Sequence, residues 1–129
     1  MVRDFISSRI KSIQFAIEGW RYVITHEKNS WVHATATVLV IIFGFWLKIS
    51  LYDWALILIM ITLVWMAEFI NTSIEAVVDL TSPSHHPLAK VGKDVGAAGV
   101  LIAACSSVLV GLLILGPPLL LKITSLLQP

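Results

Sequence analysis

Ile6, Ile10, Ile13, Ile17, Trp20 and Ile24 recur at alternating steps of four and three along the start of the chain. That period gathers them on one face of a helix over residues 4–25. Ser7, Lys11, Gln14, Glu18, Arg21 and Thr25 lie around the other face. An amphipathic helix of this kind lies in a membrane interface with its basic residues toward lipid phosphates, or packs on other protein; the two are compatible.

The pattern then loses its polar half. Ala34 to Leu47 is almost continuously apolar, and with its flanks a segment over 30–50 reaches the roughly 20 residues needed to cross a bilayer. Tyr52 and Trp54 mark an interface, and a second apolar run continues to Ala67 before polar residues enter at Glu68. Taken as one helix over 54–79, it is about 38 Å long at 1.5 Å per residue. The hydrocarbon core is roughly 30 Å thick, so one end emerges among the headgroups. Pro83 and Pro87 break the connection over 80–90. A third span is expected over 90–115, ended by Pro117 and Pro118. Along it Gly99, Ala103, Ser107 and Gly111 form a stripe of small residues, which close packing of another helix explains.

Composition makes lipid the solvent for these runs. Of 129 residues, 57% are hydrophobic and 13% charged, against about 45–50% and 25% in soluble domains. The mean hydropathy is +0.88. A water-soluble fold of this size would have too little polar surface to cover itself. The chain reads as one all-α membrane-embedded domain over residues 1–129, with three transmembrane helices and an N-terminal surface helix. No signal-peptide order of basic, apolar and small residues opens it, so the first span is expected to act as its own insertion signal. Cys105, the one cysteine, stands in an apolar run and reads as an inert packing residue.

Charge placement orients the spans. Arg3, Arg9, Lys11, Arg21 and Lys28 precede the first, and Lys90 and Lys93 flank the second connection; Lys48 and Lys122 fall on the opposite side. The positive-inside rule then predicts a cytoplasmic N-terminus and a C-terminus outside.

Glu68, Asn71, Glu75 and Asp79, separated by three, four and four residues, share one face of the second span. Acids in membrane segments are expensive and are aimed at protein, water or ions. Three together call for a cation, and a hard ion such as Mg²⁺ bridging to phosphate meets that need. Lys93 and Asp94 at the start of the third span, and Glu27 before the first, converge on the same membrane surface. Glu68 lies deepest, where a lipid hydroxyl hangs from the interface; a nucleotide and its metal belong at the wetter level of Glu75, Asp79, Lys93 and Asp94. Glu75 and Asp79 also admit a simpler reading, as headgroup-level charges paired with Lys90 or Lys93. His85 and His86 lack a second ligand pair at zinc spacing, and the Gly92-Lys93 step lacks the rest of a phosphate-binding loop. His26 and His33 are weak signals individually. A small cation channel or proton-coupled transporter is the rival class, but it calls for acids spread through the membrane depth, whereas these cluster at one end.

At these residues the chain resembles the small prokaryotic diacylglycerol kinases, a family that includes the undecaprenol kinases of Gram-positive bacteria. The likeness rests on the Glu-x-x-Asn-x-x-x-Glu-x-x-x-Asp element from Glu68 to Asp79, on Lys93–Asp94, and on Gly19-Trp20-Arg21 and Glu27-Lys28-Asn29 upstream. It covers roughly residues 10 to 115. It implies a homotrimer in the bacterial inner membrane whose sites are built from neighbouring subunits, with ATP and Mg²⁺ for direct phosphorylation of a lipid alcohol, undecaprenol or diacylglycerol, and no nucleic acid partner. On the family pattern Glu68 matches the general base, and Glu27 and Glu75 the metal-binding acids. Lys93 and Asp94 match nucleotide-contacting or site-organising residues, as do Asn71 and Asp79 around the polar site. Phe15, Ser84 and His86 fall near the nucleotide. The connection Ser82-Pro83-Ser84-His85-His86-Pro87 lacks the Glu-Tyr pair usual in the undecaprenol-kinase branch. The Pro-bracketed connection and Glu27-x-Asn29…His33 still lean toward that branch.

Overall fold

The computed structural model describes residues 2–82 and 86–127, and these are helical almost throughout. Four helices follow in order: α1 Val2–His26, α2 Lys28–Leu47, α3 Leu51–Thr81 and α4 Pro87–Leu127. The last three are long and apolar enough to cross a membrane, as the hydrophobic runs predict. The chain divides between Val32 and His33 into two compact units.

In the N-terminal unit, Ile6, Ile10, Ile13, Ile17 and Trp20 of α1 are all exposed. Glu27 alone separates α1 from α2, and its carbonyl accepts from the Ser30 hydroxyl at 2.7 Å.

In the second unit, α3 packs along α4, and α2 meets α3 through aromatic side chains. Trp65 Nε1–H donates to Thr37 Oγ1 at 3.3 Å, and the rings of Phe45 and Trp54 are 4.8 Å apart. Gly44 makes the close approach of these two helices feasible, since a Cβ there would lie 2.8 Å from the Trp54 ring. The α2–α3 turn is held from both sides. Lys48, at φ 55°, takes the left-handed position that ends α2, and Ser50 and Asp53 form a reciprocal capping box that starts α3.

Three expectations are corrected. The third span does not stop at Pro117–Pro118: α4 runs through both to Leu127. Two prolines remove two N–H donors, which the bundle of a membrane helix tolerates better than a water-exposed helix does. Pro87, read as a breaker, is the first residue of α4, where a missing N–H is unneeded and a fixed φ suits the helix. Cys105 is exposed instead of packed, because α3 covers only one stripe of α4.

Depth along the helices can be read from two charged levels. At one end Lys122 Nζ donates to the Trp46 carbonyl at 2.9 Å and lies 4.4 Å from the centroid of its ring. At the other, Lys93 on α4 pairs with Asp79 on α3. The rise from Lys93 to Lys122 is about 43 Å at 1.5 Å per residue, close to the roughly 40–45 Å of a bilayer with its headgroups.

Candidate functional site

Periodicity alone puts Glu68, Asn71, Glu75 and Asp79 in a row on α3; packing then separates them by depth. Glu68 is 1% exposed, Asn71 is buried, Glu75 is half-buried and Asp79 is exposed. Glu68 stands about 16 Å from Asp79 along the helix, so the face runs from a dry interior to a wet end.

At the dry end, Oε2 of Glu68 is 3.6 Å from Nε2 of His33 on α2, whose side chain is itself 12% exposed. That distance suits a charge pair and exceeds a hydrogen bond. The Trp65 ring closes the site edge-on to the imidazole, with centroids 6.2 Å apart. The Glu68 carbonyl accepts from the Thr72 hydroxyl at 3.0 Å, which keeps that buried hydroxyl satisfied within its own helix.

One turn on, Asn71 Nδ2–H donates to Glu75 Oε1 at 3.0 Å. This bond settles which end of the amide is which: the NH₂ faces the carboxylate, and Oδ1 faces α4. Among the described residues Oδ1 accepts no hydrogen bond. At the wet end, Lys93 Nζ donates to both oxygens of Asp79, at 3.0 and 3.1 Å, which is the simpler pairing that the sequence left open for Asp79. Asp94 turns back along α4 to Lys90, an i, i+4 pair. Lys93 and Asp94 are thus adjacent in sequence but engaged on different helices.

The remaining expected residues fall as follows. Glu27 lies half-buried between α1 and α2, and Phe15 lies exposed on α1, both in the N-terminal unit. Ser84 lies outside the described residues. His86 is exposed, and its Nδ1 accepts from the Leu88 N–H at 3.2 Å, so its ring caps α4 ahead of Pro87. Among the described residues no group of three or more His, Cys, Asp or Glu side chains is set to enclose a metal. Mg²⁺ asks for less than such a cage: it is bound by one or two carboxylates together with waters and substrate phosphates. Glu75 fits that requirement, with Oε1 engaged by Asn71 and a second oxygen beside it. Sequence reasoning undervalued His33 and passed over Gly96. Nothing local marks His33 as a partner of a residue 35 positions away, and only helix packing brings them together.

Helices able to span a membrane, with a graded acidic face at one end, define an integral membrane protein built around a polar site. The sequence model of prokaryotic diacylglycerol kinase matches residues 14–115, a range that holds every candidate site residue. The chain belongs to that family, and with it to the lipid kinases. An undecaprenol kinase of Bacillus subtilis is 38% identical over 117 residues, covering 91% of this chain and 95% of that protein. A diacylglycerol kinase of Synechocystis is 38% identical over 84% of this chain and 63% of its own length. The diacylglycerol kinase of Escherichia coli K12 is 31% identical over 78% and 82%.

Proposed function

We propose that this chain transfers the γ-phosphoryl group of ATP directly to a lipid alcohol at the cytoplasmic membrane surface, as a homotrimer with its N-terminus inside and its C-terminus outside. The observation that carries the reading is the graded face of α3. A deep carboxylate, Glu68, is 1% exposed, and the acids and lysine that suit a polyphosphate lie at the wet end.

In the proposed step the lipid hydroxyl oxygen attacks the γ-phosphorus in line, the bond to the β–γ bridging oxygen breaks, and ADP leaves. Glu68 accepts the hydroxyl proton. Transfers of this kind depend on positioning and on neutralising charge. Mg²⁺, when bound, supplies that neutralisation at the phosphates. Glu27 and Glu75 would hold it, and Asn71 keeps Glu75 oriented by its 3.0 Å bond. Lys93 adds positive charge, held in place by Asp79. Phe15, Ser84, His86 and Asp94 complete the nucleotide's surroundings, and α1 lies in the interface on its apolar face.

Of the two alcohols, undecaprenol is favoured. The Bacillus subtilis undecaprenol kinase aligns with nearly the whole chain, and His33 beside Glu68 is one of the features that lean the sequence toward that branch. Family membership leaves no reason to prefer a channel or transporter. Purified protein in lipid nanodiscs, offered undecaprenol and diacylglycerol separately with γ-labelled ATP across a Mg²⁺ titration, tests both points. Label should enter undecaprenol at the higher kcat/KM and only with the metal present. Label in neither lipid overturns the function, and preference for diacylglycerol overturns the substrate.

A further inference from the structure

α4 carries glycines at 92, 96, 99, 111 and 116, in a helix where glycine is a poor choice for stability. None has a positive φ, so backbone freedom does not explain them. Space explains one. Among the described residues, a Cβ on Gly99, Gly111 or Gly116 would meet nothing within 4 Å, and one on Gly92 would make an ordinary contact at 3.8 Å. A Cβ on Gly96 would lie 2.4 Å from Asn71 Oδ1, a separation that Cβ atoms do not show.

Asn71 has no inexpensive way to retreat. It is 6% exposed, and its Nδ2 is committed to Glu75 Oε1 at 3.0 Å. Swinging the amide aside breaks that bond. Turning it over aims its oxygen at a carboxylate oxygen.

We infer that Gly96 is a positioning residue for the reaction: its missing side chain is the seat for Asn71 Oδ1, and through Asn71 it holds the Glu75 carboxylate in the orientation that takes the metal. The assignment rests on the kinase reading for the role of Glu75, but not for the contact itself. With the Asn71 amide removed, the next nearest atom to a Cβ at 96 is the Asn71 Cα at 3.8 Å, so a second alanine at 96 would then fit.

The test is a double-mutant cycle on the full chain in nanodiscs: Gly96→Ala, Asn71→Ala and the pair, with Gly99→Ala as a glycine-to-alanine reference on the same helix. Misplacement by about 1 Å costs on the order of a hundredfold in rate, so Gly96→Ala should lose about ten- to a hundredfold in kcat. Its half-saturating Mg²⁺ should rise while KM for the lipid stays at the wild-type value. Gly99→Ala should keep the wild-type Mg²⁺ dependence. Adding Gly96→Ala to Asn71→Ala should bring no further loss, since interacting sites depart from additivity. Wild-type kinetics in Gly96→Ala, or losses that add in full, overturn the inference. If Gly96→Ala fails to insert, recovery of folded protein in the pair supports it and continued failure overturns it. Should the wild-type chain prove inactive, the functional reading fails separately; the same cycle in melting temperatures then decides the contact.

Discussion

Burying an ionised carboxylate costs several kcal/mol even after relaxation, and Glu68 is 1% exposed, 3.6 Å from His33. Glu68→Gln keeps the shape and removes the charge, so it should hold or raise the melting temperature measured by scanning fluorimetry. A drop would mean that the carboxylate is structural. Asp79 is the opposite case. Its pair with Lys93 is exposed on both sides, and exposed ion pairs contribute at most ~1 kcal/mol. Asp79→Asn should therefore shift stability by less than that in a denaturation titration. Its larger effect should be on KM for ATP, through loss of the group that steadies Lys93. The acidic row was legible in sequence because helical periodicity is local, and so was its gradient from apolar to polar flanks. His33 and Gly96 were not legible, since each matters only for what a different helix brings against it.

At the scale of elements, the ends of the helices are set by identifiable residues. The α3 start depends on the Ser50 hydroxyl, which accepts from the Asp53 N–H at 3.2 Å. Ser50→Ala should cost about 1 kcal/mol and leave turnover unchanged, because the cap lies at the end of α3 away from the site. Lys48 holds a left-handed conformation at φ 55°, which costs a non-glycine residue roughly 1–2 kcal/mol. Lys48→Gly should recover a good part of that as a raised melting temperature. The hydrophobic runs located all three spans, yet two ends escaped them. Pro87 and Pro117–Pro118 carry the same local signal, a missing N–H, and only context decides between helix start, helix interior and helix end.

For the whole molecule, the two charged levels on α4 lie about a bilayer apart, and the proposed orientation, which follows the arginines and lysines before the first span, puts the N-terminus inside. The chain's one cysteine, Cys105, is a convenient starting point. In a Cys105→Ala background, a cysteine placed at Ser125 should react with a membrane-impermeant maleimide added to intact cells, and one at Ser8 should react only after lysis. The reverse pattern contradicts the orientation. Family, fold and membrane class were readable because they depend on composition and on one tight motif. The trimer proposed above leaves no comparable mark within one chain.

The central claim is that Glu68 takes the proton from a lipid hydroxyl, and single-turnover phosphorylation of undecaprenol by wild type and Glu68→Gln, at matched folded content, tests it most directly. General-base catalysis contributes about 10²–10⁴-fold, so Glu68→Gln should slow the transfer by that factor while ATP binding is retained. Transfer at the wild-type rate by correctly inserted Glu68→Gln would contradict the account.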